Sequence, residues 1–349
     1  MRATGSANYE YVVARVRNRR ASLFDEEDYR KLLRMGPGEI ARFMEDTEYE
    51  AEVTALGSRY GGVDLIEYAL NENLARNFED LLRWSSGTLY TLVARYLRKF
   101  DAWNAKTALR GIYSDVDDES VREDLIDAGE FDRSLLDSLV AAESVESAVE
   151  LLEDTALGVG LEAALDEFER TGLLVPLENA IDRAYYEELA TDDVGGGQPV
   201  RHYRRFLEAE IDFTNVRNAL RIERSGADVD PGEYFIDGGA LFDDTEMQSL
   251  VSNRDELLAR LRESRYGEDL DAALDALVAG GSLIAFERSL DGALVAYGDH
   301  LSHVYPLSVC PVLAYVIAKE REVDNTRAIA RGHEAGLDRE QIETELVHL

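Results

Sequence analysis

Residues 100–111 read FDAWNAKTALRG, residues 210–222 read EIDFTNVRNALRI, and residues 321–332 read REVDNTRAIARG. Aligned on Asn104, Asn215 and Asn325, the three stretches lie 111 and 110 residues apart. Each asparagine has an acid three positions before it (Asp101, Asp212, Glu322) and a cation two after it (Lys106, Arg217, Arg327). An arginine follows each at the sixth position (Arg110, Arg221, Arg331). A second signature keeps the period: EDTEYEAEV from Glu45, EDTALGVGLEAAL from Glu153 and RESRYGEDLDAAL from Arg262. A third is a glutamate at Glu67, Glu178 and Glu287, each followed three residues on by Leu70, Ile181 or Leu290. Three concordant signatures identify an internal triplication. Solenoid units run roughly 20–50 residues, so a period this long points to bundles. The expected fold is all-α: three pseudo-repeated helical bundles packed about a common axis. The repeats are placed at residues 1–113, 114–226 and 227–349, as parts of one body rather than independent domains.

The motif has its own physical reading. Positions i and i+3 share a helix face, so each acid points the same way as its asparagine. The arginine six further on lies about 120° around the helix and serves a different neighbour. An asparagine amide both donates and accepts, which suits a point where one helix end is tied to another. Elsewhere the apolar steps are helical, at Ile66, Leu70, Leu74, Phe78 and Leu81, and again at Leu125, Ala128, Phe131 and Leu135. Loops are expected at Gly61-Gly62, Ser85 to Gly87, Ser114 to Asp118, Thr191 to Pro199 with its flexible GGG, Ser225 to Asp230, and Gly280-Gly281. Pro37, Pro199, Pro231 and Pro306 read as loop or first-turn positions.

Acidic residues outnumber basic ones 71 to 37, for a formal charge of −34, and only four of the cations are lysines. Phosphate contacts need a basic surface, so a nucleic-acid binder is not expected. A lysine-poor acidic surface suits a salt-rich cytoplasm, where at about 1 M salt the Debye length shrinks to roughly 3 Å. The chain is therefore read as halophilic. The single cysteine, Cys310, rules out an internal disulfide and sits in an apolar run, as a buried inert thiol does. Met1 to Glu10 contains no apolar stretch, so no signal peptide is expected. Residues 301–318 form the longest nearly uncharged run, interrupted by Pro306 and Pro311 and short of the roughly 20 apolar residues of a membrane span.

No phosphate-binding loop, dinucleotide fingerprint or serine nucleophile elbow is present. His300 and His303 have metal-ligand spacing but no evident third ligand, and they fit a partly exposed helix end better. Threefold repetition of a polar triad suits a packing device more than a catalytic centre. No catalytic residue, cofactor, metal or small-molecule substrate is expected. The basic clusters Arg15, Arg17, Arg19 and Arg20, then Arg95 to Lys99, then Arg201 to Arg205, allow two readings. They pair with acids on neighbouring helices, or they form a contact face for an acidic partner or anionic lipid headgroups. Residues 232–242, GEYFIDGGALF, form a turn that is either a helix stop or a contact loop, with Phe235, Gly238 and Gly239 as its candidate contact residues.

Four stretches together resemble one family. They are YEYVVARVRNRRASLFDEEDYRKLLRM from Tyr9, the EIDFTNVRNALRI segment, FIDGG from Phe235, and YPLSVCPVLAYVIAKEREVDNTRAIARGHEAGL from Tyr305. They resemble the C subunit of archaeal A-type ATP synthases, a family related to the d subunit of V-type ATPases; Asp237 stands where that family's turn has proline. The resemblance spans nearly the whole chain. It implies a funnel of three helical bundles that binds no nucleotide. It also implies a rotor position at the cytoplasmic face of the membrane, held between the proteolipid ring and the central stalk during proton-driven ATP synthesis, with membrane contact only through the complex. The alternatives are a soluble helical scaffold unrelated to ATP synthase and, in a different class, a carboxylate-based hydrolase with acids of raised pKa in a deep pocket.

Overall fold

Apolar residues recurring every three or four positions bury one face of a helix, and among the described residues they do so throughout this chain. A computed structural model describes residues 6–190, 197–225, 231–251 and 253–347, and every regular element there is helical. In chain order these are α1 (Tyr9–Arg20), α2 (Glu26–Leu32), α3 (Pro37–Met44), α4 (Glu50–Leu56), α5 (Gly62–Trp84), α6 (Thr88–Leu97) and α7 (Lys99–Tyr113). There follow α8 (Asp118–Asp124), α9 (Arg133–Val140), α10 (Val145–Leu152), α11 (Leu161–Thr171), α12 (Val175–Ala190) and α13 (Gln198–Ser225). After a 3₁₀ turn (Pro231–Tyr234) come α14 (Asp244–Val251), α15 (Arg254–Arg262), α16 (Gly267–Val278), α17 (Leu283–Val304), α18 (Cys310–Glu334) and α19 (Arg339–Glu343). The GGG stretch, apart from Gly197, and the expected loop at 226–230 with its repeat boundary lie outside the described residues.

The chain divides into two units, Met1–Val93 with Leu258–Leu349, and Ala94–Leu257. The first is assembled from two separate stretches of chain around α18, which packs against α1, α5 and α17. The uncharged run explains this: from Cys310 to Lys319 every residue of α18 is buried, as a helix apolar on all sides must be. Pro311 sits in the first turn of α18, where its missing N–H costs nothing. No helix of the described residues is long and apolar enough to cross a membrane. In the second unit α7 packs against α8, α9, α10 and α12, while α13 packs against α14 and the 3₁₀ turn.

One helical expectation is corrected. The steps Leu125, Ala128 and Phe131 suggest a continuous helix into Leu135, but α8 ends at Asp124 and α9 starts at Arg133. Side chains of α7 occupy backbone groups of the intervening segment, at Ile126, Glu130 and Phe131, and so hold it out of a helical path.

Candidate functional site

Each motif asparagine closes the same two hydrogen bonds on one backbone residue further along the chain. Asn104 Nδ2 donates to the Ile126 carbonyl at 2.8 Å, and the Ile126 N–H donates to Asn104 Oδ1 at 2.9 Å. Asn215 makes the identical pair with Ile236, at 2.8 and 2.9 Å. Asn325 makes it with Val347, again at 2.8 and 2.9 Å. All three amides are buried, at 1%, 2% and 2% exposure, so each bond is made away from water. Each ties a long helix to an irregular segment, not to a second helix end.

The acid three residues earlier works beside the amide. Asp101 accepts the N–H groups of Glu130 and Phe131, both at 2.9 Å. Asp212 accepts those of Ala240 and Leu241, at 2.7 and 2.9 Å. A glycine gives each carboxylate its room: a Cβ on Gly129 would stand 1.9 Å from Asp101 Oδ1, and one on Gly239 2.5 Å from Asp212 Oδ1. Burial pushes the Asp101 carboxyl up to about 6, against the downward pull of its two N–H donors.

The third copy closes differently, on a segment that precedes it in the chain. Glu322 Oε2 accepts the N–H of Phe24, 298 residues away in sequence. The Phe-Asp dipeptides at Phe24, Phe131 and Phe242 carry the sequence signal for this closure. Asp25, Asp132 and Asp243 each accept the N–H three residues on, at 3.0, 2.9 and 2.8 Å. Residues 24 onward thus take the place beside Glu322 that residues 131 onward take beside Asp101. Glu322 Oε1 also accepts from Lys319 Nζ at 2.6 Å and from the Tyr49 hydroxyl at 2.7 Å. Lys319 is 1% exposed, and its ammonium also lies 4.1 Å from the centre of the Tyr49 ring. Burial pushes the Lys319 ammonium down, and Glu322 beside it pulls it back up. The sequence gives no sign of this network, since a lone lysine among acids reads as a surface pair.

The later cations of the motif reach other helices. On α7, Lys106 pairs with Asp182 of α12 at 2.5 Å, and Arg110 pairs with Glu178 of the same helix. Arg327 and Arg331 on α18 reach Asn71 at 2.8 Å and Glu67 at 2.7 Å on α5. Glu178 and Glu67 are two of the three glutamates of the third sequence signature. The second signature also has a recurring geometry. The hydroxyls of Thr47, Thr155 and Ser264 donate to the carbonyls of Met44, Leu152 and Leu261, at 2.7, 2.7 and 2.6 Å.

The candidate contact residues separate. Arg19 is spent internally on Asn77 at 2.9 Å, Asp80 at 2.8 Å and Glu48 at 3.2 Å, and Arg20 reaches Asp299 at 2.6 Å. Arg15 and Arg17 are exposed. Phe235 is buried, and Gly238 and Gly239 are half-buried against Ala190, Ile211 and Asp212. Asp237 Oδ1 accepts the Gly238 N–H at 2.8 Å, bracing the turn, and φ of +103° at Gly238 favours glycine there. In the second basic cluster, Arg98 pairs with Glu130 and Glu188. His300 and His303 are exposed at the end of α17, and Cys310 is a buried free thiol.

Residues 12–345 match the sequence model of the ATP synthase (C/AC39) subunit. The chain belongs to that family. It is similar, at 62% identity over 349 residues and the full length of both chains, to the A-type ATP synthase C subunit of Haloferax volcanii. The C subunit of Halobacterium salinarum is 58% identical over 352 residues, again across both full lengths. That of Methanosarcina mazei is 35% identical, covering 98% of this chain and 94% of its own.

Proposed function

We propose that this chain is a non-catalytic rotor subunit of a rotary A-type ATP synthase, joining the membrane proteolipid ring to the central stalk for proton-driven ATP synthesis. The observation that carries the reading is the end-to-end similarity to relatives named as the C subunit of that enzyme. In this role the chain works as three homologous helical modules, the third closed by the N-terminal segment. The acid–Asn–Arg triads are fasteners: the acid and the amide hold a loop to a long helix, and Arg110 and Arg331 hold that helix to its neighbour. A torque-bearing body needs low compressibility, which dense packing and the hydrogen-bonded buried amides of the triads provide. The subunit sits peripherally at the cytoplasmic face of the membrane, and Arg15 and Arg17 remain as candidate partner contacts. At molar salt its contacts rely on shape and apolar burial, since long-range attraction is screened. The full chain, used as bait at high salt, is expected to recover proteolipid and central-stalk subunits from solubilised membranes. Folded protein that recovers neither overturns the reading.

A further inference from the structure

One end of the first unit collects the first turn of α1, the last turn of α5, the end of α17 and the start of α18. Asn8 fixes the first two together: its Nδ2 donates to the Trp84 carbonyl at 2.8 Å, and its Oδ1 accepts the Ser86 N–H at 3.0 Å. Helix α1 packs against α18, and at the start of α18 the Cys310 N–H donates to Ser308 Oγ in the α17–α18 turn at 3.1 Å. This end is unlike the rest of the acidic surface. Residues 301–318 contain no Asp, Glu, Lys or Arg, and of these residues 302–307 reach the surface. Large apolar groups nevertheless face solvent there: Val304 is 49% exposed, Leu307 60% and Tyr11 49%.

Arg15 completes the surface. Its guanidinium carbon lies 4.7 Å from the Tyr11 ring centre and 4.9 Å from that of Trp84, so two aromatic rings lie against the cation. Among the described residues it makes no ion pair or hydrogen bond, although acids outnumber bases by 34. A helical side chain leans toward the N-terminus, which carries this cation toward the same end. Its N–H edges are left for an anion from outside. Glu10, the acid of the first turn, lies about 100° around the helix from Tyr11.

We propose that this end is a lipid-contact surface. Val304 and Leu307 enter the headgroup layer of a bilayer, Tyr11 and Trp84 lie at its boundary, and Arg15 pairs with a lipid phosphate. Aliphatic tips, amphipathic rings and a guanidinium without an acid partner among the described residues are the groups that layer accommodates. A guanidinium also matches a phosphate through paired N–H bonds. The contact is peripheral, since no helix of the described residues can cross the membrane.

The test is co-sedimentation of the full chain with protein-free vesicles at molar salt, where repulsion from its own charge is screened. Phosphatidylglycerol vesicles are expected to carry the chain down. Val304→Asp with Leu307→Asp, both exposed sites, is expected to lower the partition coefficient roughly tenfold or more. Arg15→Gln is expected to lower binding to phosphatidylglycerol vesicles more than to phosphatidylcholine ones. Three results overturn the proposal: no sedimentation with either vesicle, unchanged binding by both variants, or binding only when the vesicles carry proteolipid, which would assign the surface to a protein. The protein-free vesicles hold no part of the synthase, so failure here leaves the recovery of ring and stalk subunits as a separate question.

Discussion

A single buried amide satisfies the backbone N–H and C=O of one residue at once, so its loss leaves both without partners. Asn215→Leu is therefore expected to destabilise the fold by about 1–3 kcal/mol, read as a lowered midpoint in thermal or denaturant melts. An unchanged midpoint would remove the amide from any structural role. The neighbouring acid predicts a pH effect whose sign follows from its raised pKa. Asp101 is held protonated to about pH 6, against an ordinary value of 3.8. Its contribution to stability is complete below about pH 4 and is lost as the pH rises through 6. Carboxyl-carbon NMR is expected to place its midpoint near 6; a midpoint near 4 contradicts the burial argument. The triads could be found in the sequence because they repeat, whereas their bonding partners could not. Ile126 and Val347 enter only as backbone, and no residue type advertises a peptide group that a distant side chain will claim. Arg15 and Arg19 look alike in the sequence, four residues apart on one helix. Only the positions of Asn77, Asp80 and Trp84 decide that one is consumed internally and the other faces outward.

Among the elements, α5 and α18 were legible in different ways. The first is legible from steps of three and four, the second from the third copy of the acid–Asn motif at Glu322 and Asn325. The loop at 125–132 was not legible, because its apolar spacing imitates a helix and the forces that unwind it arise on α7. Residues 346 and 347 are similarly placed by another element, since Val347 is fastened by Asn325 on α18. Deleting residues 346–349 is expected to cost roughly 1–3 kcal/mol by leaving a buried amide unpaired, measurable as a lower melting temperature. A truncated chain as stable as the full one would show that the fastening contributes nothing.

For the whole molecule the governing quantity is a net charge of −34. Dilution from molar salt to about 0.1 M lengthens the Debye radius from roughly 3 to 10 Å and brings surface carboxylates into mutual repulsion. Melting temperature is expected to fall steeply with dilution, and a salt-independent midpoint would contradict this. The bond from Phe24 to Glu322 carries another consequence, for synthesis rather than operation. While the ribosome is still working, the first 93 residues emerge long before the helix around which they pack. The stretch from Ala94 to Leu257 has its own partners in hand and can settle first. The opening segment can pack α3 and α4 on α5 meanwhile, but the faces of α1 and α5 that meet α18 stay uncovered until that helix has left the exit tunnel; the delay makes it the part of the nascent chain most in need of a chaperone.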